Sequence, residues 1–433
     1  EQNVACRRWL MKAGSLGPNP FGDTRERAMM HPGVNHPDAL QPTGPVDPEV
    51  AVLSVQSRDG RPLALLANYS MHYVGGPAVS ADYFGAFAHE IAKLIGAEHS
   101  PGPFVAMLSN GTSGDAWCQD YSKPKRRFSP LSVATEVAQA AFQAHQTIRY
   151  HDSVPLVMEQ ALLELDVRMP TADDVAQAQA ILEKVAAEDT EDVPLLTKVY
   201  AGETVALSKM PPTRELKLQA VRIGELGITA IPNEVFGSTG LAIKRDSPLA
   251  TTFNISLANG ADGYIPPPDQ FPLGGYTTWR ARTSCLEVDA EPKITKAVLQ
   301  LLEKVATVQP GPKETPDQSS IPVNPLESLQ HFYLHDDFRI ELVAAEPLIV
   351  DPVAFDWGPD GKLWVGEMTD YPQGLDSQGK PGGRIRCLQD TTGDGHLDHA
   401  AVFAAEIPFP NGITVWRDGV IVTSEPPILF FFF

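Results

Sequence analysis

The sequence predicts a layered α/β domain followed by a smaller all-β domain. At 433 residues the chain exceeds the size at which one hydrophobic core stops growing, which makes two domains the default. Between about residues 50 and 307, strand-like apolar runs alternate with amphipathic helix-like runs, the pattern of sheets covered by helices. Beyond a Pro-rich stretch the helical periodicity stops, and short strands punctuated by Gly, Pro and Asp take over. The expected boundaries are 1–308 for the α/β domain, 309–325 for a linker and 326–433 for the all-β piece.

Hydrophobic residues make up 43% and charged residues 20% of the chain, the balance of an ordinary globular protein. A net charge of −20 argues against a nucleic-acid partner, because neutralising phosphates takes clustered Lys and Arg. The basic cluster Lys123 to Arg127 is short and reads as loop decoration. Cys6, Cys118, Cys285 and Cys387 lie far apart, so they neither require nor exclude an oxidising compartment. No apolar run reaches the length of a membrane-spanning helix, and no signal segment is visible at Glu1.

In chain order, residues 1–49 are rich in Pro and Gly and read as extended loops on a core. His31 and His36 fall in an H-P-G-V-N-H turn whose spacing could bind a metal, and they read as structural. Val50 to Val55 and Pro62 to Ala67 form a predicted hairpin around a D-G turn, and its second strand delivers His72 into a loop of small residues. Asp82 precedes a helix from Phe84 to Ile95, where it can cap the helix or hold an imidazole. On local sequence alone, His72 reads as a hydrogen-bonded structural residue.

Phe104 to Leu108 reads as a buried strand and Leu131 to His145 as a helix. Between them, Asn110 to Asp115 either presents backbone N–H groups to an oxyanion or is a tight turn. Leu156 to Val167 alternates like a strand, and the T-A-D-D start at Thr171 signals a helix to Ala187. Leu216 to Ile223 and Gly227 to Ile231 form a second hairpin that ends at Glu234. Thr251 to Leu257 is a strand, and Pro292 to Thr307 a closing helix. In the all-β piece, strands are expected at Phe338 to Val343, Val353 to Trp357, Lys362 to Val365, Arg384 to Leu388 and Gly419 to Val422, with weak order at Ile428 to Phe433. Asp390, Asp394 and Asp398 stand at positions one, five and nine of a loop, a spacing that wraps oxygen ligands around Ca²⁺. Thr392 removes a usual ligand from that loop, and a Gly-rich turn is the alternative.

Four segments, in order, carry a family resemblance. N-Y-S-M-H, ending at His72, with S-A-D-Y-F-G around Asp82, resembles the N-F-A-C-H and S-A-D-Y-P-G segments of bacterial neutral/alkaline ceramidase-like proteins. Ala230 to Gly237 resembles the family's P-G-E-x-F turn, and Asn259 to Pro266 its N-x-x-x-G-Y segment. Ser109 to Asp115 resembles the stretch that ends in its nucleophile loop. The resemblance runs from about Val4 to about Val308. It implies a zinc-dependent hydrolase of an amide or ester bond, of a small molecule or lipid, with a role in lipid metabolism. His72, Glu234 and Tyr264 are then the zinc ligands and Tyr276 a donor to the developing oxyanion. Arg7, near a position where relatives carry an Arg beside the substrate, is a catalytic candidate, with a structural ion pair as the alternative.

The chain departs from the family where its nucleophilic Ser is expected: Gly114 and Asp115 are followed by Ala116, Trp117 and Cys118. Trp117 takes the Ser position, which leaves Ser113 and Asp115 as the catalytic candidates of that loop and puts ceramide in doubt as substrate. The family's first His-rich metal segment is absent, so the sequence reads as starting in mid-family, and a periplasmic or extracellular location with peripheral membrane association is expected. The segments E-L-V-A-A-E-P, W-G-P-D-G-K-L-W-V-G-E-M and G-G-R-I-R-C-L-Q-D-T-T-G-D-G resemble the start of bacterial propeller domains related to sugar dehydrogenases, often called membrane-bound dehydrogenases. That implies an unfinished β-propeller. The competing function is an oxidoreductase seated on the propeller, with the first domain a non-catalytic binding module; a non-catalytic adhesive surface protein is the third.

Overall fold

The computed structural model describes residues 4–99, 102–187, 192–308, 324–332, 334–335, 337–371, 374–375, 380–425 and 428–432. The chain divides into two units, Glu1–Gly311 and Pro312–Phe433. Most of the expected linker, residues 309–323, lies outside the described residues.

The N-terminal stretch is not a run of plain loops. It carries four short strands, β1 (Ala5–Cys6), β2 (Arg8–Met11), β3 (Ala28–Met30) and β4 (Ala39–Pro42), with β2 between β3 and β4. Trp9 and Met11 bury one face of β2, which is what a strand of this length needs from its neighbours.

The hairpin β5 (Val50–Gln56) and β6 (Pro62–Tyr69) forms as read from the sequence, and β7 (Val105–Asn110) adds to β6 in parallel through helix α1 (Asp82–Leu94). Strand β8 (Ala116–Trp117) pairs with β1, and α2 (Pro130–His145) follows under a Ser129 capping box. Leu65, Ala67 and Tyr69 alternate onto one face of β6 and pack under Phe87 and Ile91 of α1 and Val133 and Val137 of α2.

The second sheet holds β9 (Leu156–Asp166), β10 (Thr213–Ile223), β11 (Leu226–Ile231) and β13 (Thr251–Ser256), in the order β13-β11-β10-β9. Helices α3 (Ala172–Ala186) and α4 (Leu195–Leu207) connect β9 to β10, and α5 (Gly237–Asp246) connects β11 to β13. Before and after α5 stand two-residue strands, β12 (Glu234–Val235) and β14 (Tyr264–Ile265). Leu216, Leu218 and Ala220 face α6 (Ala290–Thr307), whose Ile294, Val298, Leu301 and Leu302 complete that core. The opposite face, through Ile228 and Phe253, meets Ala51 and Leu66 of the first sheet. The first unit is therefore helix, sheet, sheet, helix, which sharpens the expected layered α/β class. Helices α4 and α5 carry no capping or periodic signal strong enough to be read: neither N-cap makes a side-chain hydrogen bond.

The second unit opens with the single turn α7 (Pro325–Ser328). Residues 338–343 form no strand, against expectation. Strands β15 (Pro352–Trp357), β16 (Leu363–Glu367), β17 (Gly383–Gln389) and β18 (His399–Ile407) make one antiparallel meander, and β19 (Gly412–Trp416), β20 (Gly419–Thr423) and β21 (Ile428–Phe432) a second. Trp364, Ile385, Ile407, Val420 and Val422 form their shared core. The Phe-rich end is an ordered strand on β20, with Leu429 and Phe431 turned to that core. Among the described residues the meanders do not close into a ring.

Candidate metal and hydrolytic site

Strands β12 and β14 lie side by side in parallel, and their register sets Glu234 directly beside Tyr264. The backbone fixes this pair tightly: Glu234 N donates to Gly263 O at 2.9 Å and Tyr264 N to Thr283 O at 2.8 Å. Gly263 has φ +75°, and a Cβ there would lie 2.4 Å from Thr283 O, so only glycine lets Tyr264 reach this place.

His72 arrives from the end of β6. The Asp82 carboxylate accepts from Val74 N at 3.0 Å and Gly75 N at 2.9 Å, which pins the loop that carries the imidazole. Asp82 therefore serves the loop backbone and does not hold the imidazole, one of the two roles the sequence left open. His72 Nε2 stands 3.9 Å from Glu234 Oε2. Both side chains keep some exposure, 18% for His72 and 23% for Glu234, so the pair faces an opening. Tyr264 is buried.

Arg7 completes the cluster. Its Nη2 donates to Tyr264 Oη at 3.3 Å and to Gly114 O at 3.1 Å, while its Nε is buried without a hydrogen-bond partner. No carboxylate forms an ion pair with Arg7 among the described residues, which removes the structural ion pair as its role. Tyr276 stands edge-on to Tyr264 at 5.7 Å between ring centres.

Burial depresses the His72 imidazole to about 4, with Arg7 adding to the effect. Burial also raises Glu234 above the usual carboxylate range, while the Tyr264 phenol and Arg7 oppose that rise. Tyr264 is raised by burial and by its phenol and carboxylate neighbours. The His72 imidazole is thereby held neutral beside Glu234, which is the protonation state a nitrogen ligand needs.

The glycine-rich loop plays a supporting part. Gly114 N donates to Val235 O at 2.7 Å, and a Cβ on Gly114 would crowd the carbonyls of Glu234 and Val235 at 3.0 Å. Asp115 is fully enclosed: its Oδ1 accepts from Gly237 N at 2.8 Å and its backbone carbonyl from Arg7 N at 2.8 Å. It clamps Arg7 to the strand that carries Glu234. In these contacts Asp115, expected as a catalytic candidate, positions Arg7 and the start of α5. Ser113 is buried, and no hydrogen bond joins its hydroxyl to His72, Glu234 or Tyr264 among the described residues. Trp117 donates from Nε1 to Tyr73 O at 3.1 Å and packs edge-on to His31 and Phe128, so it forms a wall beside His31.

His31, expected as a structural residue, lies close enough to His72 to depress it further. Its Nδ1 pairs with Tyr121 Oη at 2.5 Å, and burial with Arg7 lowers its own pKa to about 4. Nothing in the H-P-G turn announces this; only the pairing of β2 with β3 carries His31 to the site.

Three protein donors and an open position suit a catalytic zinc, for which imidazole nitrogen and carboxylate oxygen bind at about 2.0–2.2 Å. The His72–Glu234 separation of 3.9 Å is a few tenths of an ångström longer than the roughly 3.3–3.6 Å that two such ligands span across one tetrahedral ion, so the pair would close slightly to hold one. Among the described residues no group of three His, Cys, Asp or Glu side chains is gathered, so the phenol of Tyr264 is needed as the third donor. The aspartates of the second unit are not gathered either. Asp390 turns its oxygens onto the N–H groups of Thr392, Gly393 and Gly395, Asp398 onto Thr391, and Asp394 onto His396. These are the contacts of a Gly-rich turn, the alternative that the sequence leaves beside the calcium loop.

A family model described as "Domain of unknown function (DUF7133)" matches residues 324–432. No curated protein matches. Among solved structures, the neutral ceramidase from Pseudomonas aeruginosa is similar at 15% identity and TM-score 0.44, over 89% of this chain and 64% of that one. A structure titled "Ceramidase complexed with C2" is similar at 14% identity and TM-score 0.43, over 87% of this chain and 64% of that one. The chain thus spans about two thirds of the length of these structures, just under that share. Among the described residues no helix is long and apolar enough to cross a membrane.

Proposed function

We propose that the first unit is a zinc-dependent hydrolase of an amide or ester bond, with a lipid-like substrate class. The observation that supports it is the convergence of His72, Glu234 and Tyr264, with Arg7 bound to the phenol. His72, Glu234 and Tyr264 would hold the ion. Bound there, zinc polarises a carbonyl and lowers the pKa of its water toward about 7.

The chain's own groups do the rest. The guanidinium of Arg7, held by Tyr264 Oη and Gly114 O, stands at the site where negative charge develops on the carbonyl oxygen. Tyr276, beside Tyr264, supplies a second phenol for the same oxygen. Trp117 supplies no nucleophile, so water is the attacking group, and ceramide turnover is expected to be poor. The two meanders of the second unit, with their shared core, support its reading as the opening of a propeller.

Hydrolysis of fluorogenic acyl amides and acyl esters by the full chain, with and without Zn²⁺, tests the proposal. Metal-dependent turnover that disappears in His72→Ala is expected. Turnover that is indifferent to both zinc and His72→Ala would refute it.

A further inference from the structure

Beside the His72 site the first unit carries an exposed loop without charge. From Ser70 to Ala81 the chain reads S-M-H-Y-V-G-G-P-A-V-S-A, although 20% of the whole sequence is charged. Met71 and Val74 are buried and anchor this loop, while Gly75 to Ala81 are exposed. Val79 is 96% exposed and Tyr73 59%, and the Tyr73 ring stands 4.2 Å from that of His72 between centres. The Asp82 clamp on Val74 N and Gly75 N fixes the base of the loop, so its apolar tip is held out in solvent. Apolar surface held in water is a cost that a partner would remove.

The same rim carries the basic cluster. Trp117 ties the two together: its Nε1 donates to Tyr73 O at 3.1 Å, and its ring meets Phe128, the residue after the cluster, at 5.1 Å. Lys123, Lys125 and Arg127 are exposed. Arg126 pairs with Glu136, and Lys123 Nζ stands 3.9 Å from Asp120. Lys125 and Arg127 form no ion pair among the described residues. Four cations thus face two carboxylates, in a chain whose net charge is −20. A local excess of positive charge on such a background selects an anionic partner, and the uncharged tip beside it selects one with an apolar interior.

We infer that this rim docks on an anionic phospholipid surface, with Tyr73 and Val79 entering the interface and Lys123, Lys125 and Arg127 lying against the headgroups. An apolar tip and a basic patch together give an attachment that neither gives alone. The inference deepens the proposed hydrolase, because it would set His72 against the layer that holds a lipid-like substrate, yet the docking itself needs no metal.

Flotation of the full chain with vesicles of phosphatidylcholine, alone or with about one third phosphatidylglycerol, tests it. Binding to the mixed vesicles is expected, several-fold tighter than to phosphatidylcholine alone and weakened by salt. Lys125→Gln combined with Arg127→Gln should weaken it at least roughly 10-fold, as each basic residue near such a surface contributes about 5-fold. Val79→Trp should tighten it, with emission quenched by brominated lipid beyond that of the parent. His72→Ala should bind vesicles as the parent does, so a failure of docking and a failure of the metal reading are told apart. Equal binding to the two kinds of vesicle, or none to either, would overturn the inference. Mixed-vesicle binding that the Lys125→Gln, Arg127→Gln protein retains in full would overturn it by placing the contact elsewhere. A Val79→Trp protein that binds no better and is quenched no more than the parent would overturn it in favour of a soluble polyanion.

Discussion

Glu234 and Tyr264 are register partners in a parallel pair of two-residue strands, and this pairing holds the carboxylate against the phenol before any ligand is bound. Such short strands are weak alone. Their stability comes from the loops that dock on them, through Gly263 O, Thr283 O and Gly114 N.

Gly263→Ala is expected to displace Tyr264. The backbone at +75° is strained for alanine, and its methyl would fall on Thr283 O. A loss of roughly 1–3 kcal/mol is expected in chemical denaturation. A variant as stable as the parent would contradict the account of how the phenol is placed.

Asp115 gives a pH test. Burial raises its carboxyl to about 6, above the ordinary 3.8, so the folded protein keeps a proton that the unfolded chain releases. This contribution is complete below about pH 4 and is lost as the pH rises through about 6, a change on the order of 2 kcal/mol. Asp115→Asn cannot titrate there, so its unfolding free energy relative to the parent should improve across that window. An unchanged difference between pH 4 and 6.5 would show that Asp115 is not protonated in the fold.

Thr171→Ala tests the part of the fold most plainly written in the sequence. Thr171 Oγ1 accepts from Asp174 N at 3.2 Å, and Asp174 accepts from Thr171 N at 2.8 Å. Loss of about 1 kcal/mol is expected. The same variant should loosen the Asp174–Arg280 ion pair, read as a change in Trp279 fluorescence.

What could be read beforehand was what periodicity and turn chemistry encode locally. The β5–β6 hairpin follows its D-G turn, α3 starts at its capping box, and α6 shows the spacing of Ile294, Val298 and Leu301. What escaped depends on distant partners. Strands β1 to β4 are held by pairing with one another and with β8, which no window of sequence contains. His31 and Arg7 reach the site through those same pairings, and the motif order alone pointed to His72, Glu234 and Tyr264. The Asp390 loop stays open to two readings because its carboxylate spacing suits both an ion and a self-bonded turn.

The central claim is that His72 and Glu234 share one metal ion, and equilibrium dialysis with Zn²⁺, read by elemental analysis, tests it most directly. One equivalent of zinc is predicted for the full chain, with affinity falling at least roughly 10-fold in both His72→Ala and Glu234→Gln. Zinc bound equally well by the parent and by both variants, or not bound by the parent, would contradict it.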